Sequence, residues 1–179
     1  MIFVVTGSRQ YPFDRLIEGI DQLFAEKVIA EPVFAQIGNA RYVPRHFSFT
    51  NFITQQEFLE KINEADLVIT HAASGTVMKA LRADKKVIVV PRQRKYGEHI
   101  DDHQIQAARA YSDHGYALAV FDMVNLGETI NKIKEGNIEL RRWENKDPLS
   151  IANLIDGFIA QTWDEKNSNK ASLKRGAKK

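Results

Sequence analysis

Five apolar runs rich in β-branched residues recur along the first two thirds of the chain, and they constrain the fold more than any other feature. They span residues 2–6, 33–37, 67–70, 87–90 and 117–121. Apolar residues are continuous within each run rather than alternating with polar ones, which is typical of strands buried on both faces of a parallel sheet. The runs therefore predict the strands of one buried sheet.

Amphipathic stretches separate these runs. Apolar residues at helical spacing predict helices over residues 14–27, 55–63, 76–82, 103–111 and 126–135. Alternation of strands and helices indicates a doubly wound α/β fold, in which helices cover both faces of a Rossmann-like parallel sheet. We expect this domain to occupy residues 1–140.

The residues after this domain divide into two segments. A pair of residues, Asp147 and Pro148, predicts a helix start. One apolar stripe follows, formed by Leu149, Ile151, Leu154, Ile155, Phe158 and Ile159. We therefore expect residues 141–165 to form an amphipathic helix that packs either on its own sheet or on a partner. Residues 166–179 are expected to be a basic disordered tail, with weak attraction to an anionic membrane surface or nucleic acid as the alternative.

Composition narrows the functional class. The chain has 179 residues, of which 44% are hydrophobic and 27% charged, as in soluble globular domains. The formal net charge is +2, but residues 166–179 hold six basic and no acidic residues, which leaves 19 basic and 23 acidic residues in the remainder. A mildly acidic body without a basic patch argues against nucleic-acid binding. The chain has no cysteine and no apolar run near the ~20 residues of a membrane span, which favours a cytoplasmic location.

The loop after the first predicted strand has the composition of a ligand site. Ligands of open α/β sheets bind beyond the carboxyl ends of the strands. Gly7, Ser8 and Arg9 occupy this place, where glycine lets the backbone approach a ligand and Arg9 can neutralise an anion. The alternative is an ordinary strand-to-helix turn with an incidental arginine.

A second loop follows the third apolar run and begins at His71. Ser74, Gly75 and Thr76 stand where the next helix must begin, and small residues there leave backbone N–H groups free at the positive end of the helix dipole. These groups suit a phosphate or diphosphate, and His71 is expected to donate to the same oxygens. Taken singly, His71 fits a structural histidine and Ser74 an N-cap, but their conjunction at one strand end favours a diphosphate site.

A polar segment, PRQRKYGEHIDDHQ, follows the fourth run at residues 91–104. We expect Asp102, His103 and Gln104 to form a hydrogen-bonding surface for a polyhydroxylated group. The basic residues expected to supply positive charge nearby are Arg92, Arg94 and Lys95. The alternative is a solvated loop that ends in helix-start acids.

The same segment contains residue types that bind metals, namely His99, Asp101, Asp102 and His103. Adjacent acidic residues point in different directions, and no set of distant ligands accompanies them. We therefore expect no metal site here, and we prefer the hydrogen-bonding interpretation.

Several of these segments resemble a known family when they are taken in order. They are MIFVVTGSRQYPFDRL, AQIG, ADLVITHAASGT, KKVIVVPR and KYGEHIDDHQ. Over roughly residues 1–135 they resemble the C-terminal, donor-binding domain of family 28 glycosyltransferases. The resemblance is greatest to the free-standing form, a subunit of two-subunit N-acetylglucosaminyltransferases with bacterial counterparts in exopolysaccharide and capsule assembly. KYGEHIDDHQ is specific, whereas GS and SGT are not.

The resemblance implies half of a GT-B fold that binds a UDP-sugar. By position it assigns the diphosphate to His71 and residues 74–76, the sugar hydroxyls to His103 and Gln104, and the acceptor side of the cleft to residues 7–8. It also implies a membrane-anchored partner that supplies the acceptor-binding half, a lipid-linked acceptor, and a position at the cytoplasmic face of the membrane through that partner. The UDP-sugar is the substrate, and no cofactor is implied.

Three positions depart from the family pattern. Ala73 stands where glycine is usual, which predicts a loop less able to approach a phosphate. Lys79 stands where many relatives have a glutamate that binds the ribose hydroxyls, and lysine cannot accept those hydrogen bonds. The first loop reads VVTGS where VTVGT is commoner. Together these changes predict weaker or differently shaped donor binding.

The expected reaction is hexosyl transfer from a UDP-sugar to a lipid-linked acceptor in polysaccharide synthesis. The helix N-terminus and basic side chains would stabilise the leaving UDP, and the general base is expected on the partner, since this chain offers no convincing one. Two alternatives stay open. Ala73 and Lys79 motivate a non-catalytic scaffold subunit of the same complex. The segments VTGSR and SGT also fit a nucleotide-derivative sensor, which leaves KYGEHIDDHQ unexplained.

Overall fold

A single parallel sheet forms the centre of the domain in this computed structural model, which describes residues 1–144. Its six strands are β1 Ile2–Val5, β2 Val33–Gln36, β3 Ser48–Thr50, β4 Leu67–Thr70, β5 Lys86–Val89 and β6 Leu118–Ala119. Their order across the sheet is β3-β2-β1-β4-β5-β6, and every neighbouring pair is parallel. This is the strand order of a Rossmann sheet, so the predicted α/β fold is confirmed.

Helices connect the strands. They are α1 Asp14–Ala25, α2 Gln55–Glu64, α3 Ser74–Arg82, α4 His103–Asp113 and α5 Leu126–Lys134, and short 3₁₀ turns occupy Arg94–Tyr96 and Met123–Asn125. Each lies within a few residues of a helix predicted from the apolar spacing, and α3 begins two residues earlier than expected. The sequence pattern therefore locates all five α-helices of the described residues.

One strand, β3, was not predicted from the sequence pattern. The edge strand β3 has only three residues and pairs with β2 alone, and its residues are exposed or half-buried. A strand of this length with a partly exposed Phe49 has neither a continuous apolar run nor a long alternation. Its backbone hydrogen bonds to β2, rather than its side chains, decide that it forms.

The core lies on both faces of the central strands. All residues of β1 and β4 are buried, as a parallel sheet covered on two sides requires. The apolar stripe of α1 packs against one face through Leu16, Ile17 and Ile20, all fully buried. The interior is thus filled by the β-branched runs from which the fold was predicted.

The packed domain extends slightly past the predicted boundary at residue 140. The Arg141 amide donates to the Gly115 carbonyl at 2.8 Å, and the Trp143 indole packs edge-on against Tyr116 with ring centroids 5.5 Å apart. The expected C-terminal helix beyond residue 144 and the basic tail lie outside the described residues. Between residues 1 and 144, no helix has the length and apolarity that crossing a membrane requires.

Candidate functional site

A cleft of about 700 Å³ opens at the carboxyl ends of β1 and β4. These two strands are adjacent in the sheet, and the chain proceeds outward from them in opposite directions, so the cleft lies at the topological switch point where α/β sheets bind ligands. Of the residues predicted from the sequence, those that line it are Gly7, Ser8, Arg9, His71, Gly75, Thr76, His103 and Gln104. The structure therefore brings three separate sequence segments to one cavity.

The loop after β1 requires glycine at its first position. Gly7 has a φ of +82°, and a Cβ placed on it would lie 2.7 Å from both Cε1 and Nε2 of His71. Gly38, at the end of β2, has a φ of +57° and its Cβ would lie 2.4 Å from the Gly7 carbonyl oxygen. The two loops thus approach more closely than any side chain permits. Ser8 and Arg9 follow Gly7, exposed along the cleft.

His71 forms part of the cleft floor. It follows β4 directly and is 6% exposed. Its Nδ1 lies 3.2 Å from the hydroxyl oxygen of Thr70, while Nε2 has no hydrogen-bond partner among the described residues. Burial and, to a smaller extent, the positive charge of Arg92 lower the pKa of His71 to about 3, although a hydrogen bond to the Val5 carbonyl opposes them. The imidazole is therefore neutral at physiological pH.

The N-terminus of α3 is open to the cleft. Its N-cap position is Ala73, and no side chain caps it, whereas α2 is closed by a capping box of Thr54 and Glu57. Nothing lies within 4 Å of a Cβ placed on Gly75. Free N–H groups at an open helix start are the donors that a phosphate uses. Ser74 is exposed at this start but does not line the cavity.

Two positions that depart from the family pattern lie beside this helix start. Ala73 has φ −76° and ψ 129°, an extended conformation that alanine adopts without strain, so glycine is not needed for the backbone to turn here. Lys79 lines the cleft, exposed, with its ammonium 5.0 Å from the centre of the Phe58 ring. An amine therefore stands at this wall of the cleft, where it adds positive charge.

Arg92 does not face the cleft, so the expectation that it supplies positive charge near a ligand is wrong. The side chain is 1% exposed, and its guanidinium donates to four carbonyl oxygens, those of Thr6, Tyr11, Pro12 and Glu98, at 2.6 to 3.2 Å. Burial lowers its pKa to about 10, while the Glu98 carboxylate raises it. Arg92 consequently fastens the loop after β1 to the segment after β5 and lies behind the cleft.

A partly buried ion pair strengthens the same junction. Arg15 of α1 binds both carboxylate oxygens of Glu98, with N–O distances of 2.9 and 3.0 Å, and also donates to the Pro91 carbonyl. Glu98 in turn accepts from the Gln93 amide at 2.9 Å. A bidentate pair of this kind is geometrically specific. Sequence analysis did not identify it, because Arg15 and Glu98 are 83 residues apart in sequence.

The predicted hydrogen-bonding surface at the start of α4 is only partly on the cleft. His103 and Gln104 line it, and Gln104 is buried with its side-chain oxygen accepting from the Arg92 amide at 3.1 Å. Asp102 does not line the cleft; its carboxylate accepts from the Arg94 amide at 2.8 Å and so holds the turn. Arg94 and Lys95 are exposed on that turn, also outside the lining of the cavity.

His99, Asp101 and His103 form a cluster at the rim of the cleft. Asp101 bonds His99 Nδ1 at 3.1 Å and makes a close contact with His103 Nδ1, and possible ligand atoms of the three lie within 4.8 Å of one another. Hydrogen bonds from His103 outweigh burial and lower the pKa of Asp101, while burial lowers that of His99. The carboxylate already binds both imidazoles, which explains the cluster by hydrogen bonding. The expectation of no metal stays a prediction.

One wall of the cleft was not predicted from the sequence. The lining also includes Phe52, Ile53, Thr54, Gln55 and Phe58, together with Gln36 at the end of β2. Most of these residues follow the edge strand that the pattern did not reveal. Had β3 been recognised, the rule that ligands lie beyond strand ends would have pointed to them.

Comparisons with known proteins identify relatives of this chain. Among curated proteins, the UDP-N-acetylglucosamine transferase subunit ALG13 of Yarrowia lipolytica is 29% identical over 119 residues, 60% of this chain and 59% of that protein. The Homo sapiens protein of the same name is 29% identical over 124 residues, 64% of this chain but 10% of its own length. The chain thus spans well under the full length of both relatives.

Solved structures show the same fold. The NMR structure of ALG13 superposes with a TM-score of 0.59 at 17% identity, covering 86% of this chain and 94% of that one. The kitacinnamycin glycotransferase gives a TM-score of 0.56 at 18% identity, covering 88% of this chain and 37% of that one. The model of the "Glycosyltransferase family 28 C-terminal domain" matches residues 1–153, which include every segment of the cleft. The resemblance seen in the sequence is therefore confirmed, and the chain belongs to the family of glycosyltransferase family 28 C-terminal domains.

Proposed function

We propose that this chain is the donor-binding, catalytic subunit of a two-component glycosyltransferase that moves a hexose from a UDP-sugar to a lipid-linked acceptor in polysaccharide synthesis. The observation that carries the proposal is the cleft at the switch point, where the open start of α3 faces His71 and the Gly7 loop. The names of the similar transferase subunits, which specify UDP-N-acetylglucosamine, support this class of donor.

In this proposal the diphosphate of the donor binds at the start of α3. Free N–H groups at residues 74–76 donate to its oxygens, and Arg9 and Lys79 balance its negative charge from the two sides of the cleft. His103 and the side-chain nitrogen of Gln104 bind the hydroxyls of the sugar. Stabilisation of the leaving UDP by these fixed donors requires no metal or other cofactor.

The acceptor half of the site belongs to a partner. Among the titratable side chains that line the cleft, Asp101 is already bonded to His99 and His103, and we assign His71 and His103 to the donor, so none of these is assigned as the base for the acceptor hydroxyl. We propose that a membrane-anchored subunit supplies both that base and the lipid-linked acceptor, and that it holds this chain at the cytoplasmic face of the membrane. Nucleic acid has no part in this function.

Reconstituted transfer tests the proposal. The chain is co-expressed with a membrane-anchored candidate partner, and transfer of labelled sugar from UDP-N-acetylglucosamine to a polyprenyl-diphosphate-linked sugar is followed by chromatography of the lipid. We expect transfer only when both subunits are present, and none when this chain carries Gly75→Val. Equal transfer by the wild-type and Gly75→Val complexes would show that the chain is a scaffold. Rapid transfer by the isolated chain would show that the base lies in this subunit.

A further inference from the structure

The hydroxyl of Thr70 lies between two groups that can accept its hydrogen. Thr70 ends β4 and is fully buried, and its Oγ1 is 2.9 Å from the Val5 carbonyl oxygen and 3.2 Å from Nδ1 of His71. A carbonyl oxygen only accepts, so the hydroxyl donates to Val5 in this arrangement. The contact with His71 is then a hydrogen bond only when Nδ1 carries a hydrogen. With the hydroxyl hydrogen assigned to the nearer acceptor, Val5, this contact requires the Nδ1–H tautomer and leaves Nε2 bare.

The bare nitrogen faces the proposed ligand site. The Cε1–Nε2 edge of His71 lies against Gly7, on the floor of the cleft, and Nε2 has no partner in the part of the chain that the structure describes. A diphosphate oxygen also accepts hydrogen bonds and donates none. Two acceptors repel each other, so this tautomer of His71 does not bind a diphosphate.

Two routes would give Nε2 a hydrogen. The ring can gain a proton and become charged, or it can stay neutral and exchange tautomer. Burial of the ring opposes the charged form, and so does the positive charge of Arg92. A bound diphosphate favours the charged form, as does Asp101 at the rim, but Arg9 and Lys79 line the same cleft and would offset that negative charge. The neutral route is favoured.

We propose that a bound diphosphate switches His71 from the Nδ1–H to the Nε2–H tautomer, and that Thr70 makes the switch possible by turning its hydroxyl hydrogen from Val5 to Nδ1. One hydrogen leaves Nδ1 and one arrives at Nε2 by exchange with water, so the ring stays neutral and no net proton is taken up. This inference rests on the proposed function. Thr70 touches no substrate in it and is a positioning residue that acts through His71.

Nitrogen NMR reads the tautomer directly, because a bare ring nitrogen and one that carries hydrogen differ widely in chemical shift. The full chain is labelled with ¹⁵N-histidine, and His71 is assigned from the spectrum of His71→Gln. We expect a bare Nε2 in the free protein and a bare Nδ1 after saturation with UDP-N-acetylglucosamine. This donor is a good probe because its diphosphate diester does not titrate near neutral pH. Calorimetry in two buffers of different ionisation enthalpy should show no net proton uptake.

Two variants of Thr70 isolate the hydroxyl. Thr70→Val keeps the shape of the side chain and removes the donor, so we expect the affinity for UDP-N-acetylglucosamine to fall about tenfold, the effect of one hydrogen bond to a charged group. Thr70→Ser keeps the hydroxyl and should bind within about threefold of wild type. Urea unfolding of both variants separates this effect from a loss of stability. If Thr70→Val does not fold, the spectra of the wild-type chain still decide.

Several results would overturn the inference. A protonated Nε2 in the free protein would overturn the inference before any ligand is added. Saturable binding with no change of tautomer, or with both nitrogens protonated and one proton taken up, would reject the switch but leave the proposed donor site standing. Absence of binding would remove the proposed donor site, and the tautomer switch with it.

Discussion

Arg92 shows how a single buried cation organises this cleft. Its guanidinium binds carbonyl oxygens from both the loop after β1 and the segment after β5, with Thr6 as the nearest at 2.6 Å. Sequence analysis assigned it to charge support near a ligand, because basic residues in a polar loop are ordinarily exposed. Only the folded chain reveals the ring of carbonyl oxygens around it. We infer that Arg92 acts on ligand binding through loop geometry.

The first prediction concerns this buried guanidinium. Arg92→Met should lower the free energy of unfolding by about 3 kcal/mol, because several carbonyl oxygens lose their hydrogen-bond donor in a buried site. Arg94→Met is the matched control, since Arg94 is exposed and should change stability by less than about 0.5 kcal/mol. Urea denaturation followed by circular dichroism measures both. Equal stability of the two variants would contradict the assigned role.

The second prediction separates the two demands on Gly7. Gly7→Ala and Gly136→Ala both place a side chain at positive φ, +82° and +70°, which costs roughly 1–2 kcal/mol in each case. Only at Gly7 would the new methyl also collide with His71, whereas nothing lies within 4 Å at Gly136. We therefore expect backbone strain to lower the free energy of unfolding by similar amounts in the two variants. UDP-sugar binding should be lost only in Gly7→Ala. Normal binding by the folded Gly7→Ala variant would show that this contact has no role in the site.

At the scale of elements, the apolar run around a strand, rather than the length of the strand itself, determined whether the sequence revealed it. β1, β2, β4, β5 and β6 each overlap a predicted run of four or five residues, so the pattern located all of them, although β6 itself has only two residues. β3 has three residues, on the sheet edge, and the pattern did not locate it. As a result, the wall of the cleft near Phe52 and Phe58, which follows β3, was not predicted from the sequence. Elements stabilised by backbone pairing to a neighbour leave little trace in the sequence.

Helix α3 is the element on which ligand binding depends, and Gly75→Ala tests it. Because the position is open, the methyl should leave the free energy of unfolding unchanged or raise it by up to about 1 kcal/mol, as alanine favours a helix over glycine. The same methyl would stand between the backbone N–H groups and a phosphate, so affinity for the UDP-sugar should fall about tenfold. Thermal unfolding and calorimetry on one preparation measure both effects. An unchanged affinity would place the diphosphate elsewhere.

For the whole molecule, topology accounts for most of what the sequence could predict. A continuous parallel sheet brings the carboxyl ends of β1 and β4 together at the switch point, so the Gly7 loop and the His71 loop had to meet there. Side-chain direction was harder to predict, as Asp102, Arg94 and Lys95 show: they belong to the right segment but lie outside the cavity. Pairings over long sequence distances, such as Arg15 with Glu98, leave no local pattern at all.

The most direct test of the account is whether the isolated chain binds a nucleotide sugar at this cleft. UDP-N-acetylglucosamine is titrated calorimetrically into the purified chain, with Mg²⁺ and with a chelator, beside His71→Ala. We expect saturable binding in the micromolar to low-millimolar range that is the same with and without Mg²⁺ and is lost in the variant. Absence of saturable binding, or binding that His71→Ala leaves intact, would contradict it.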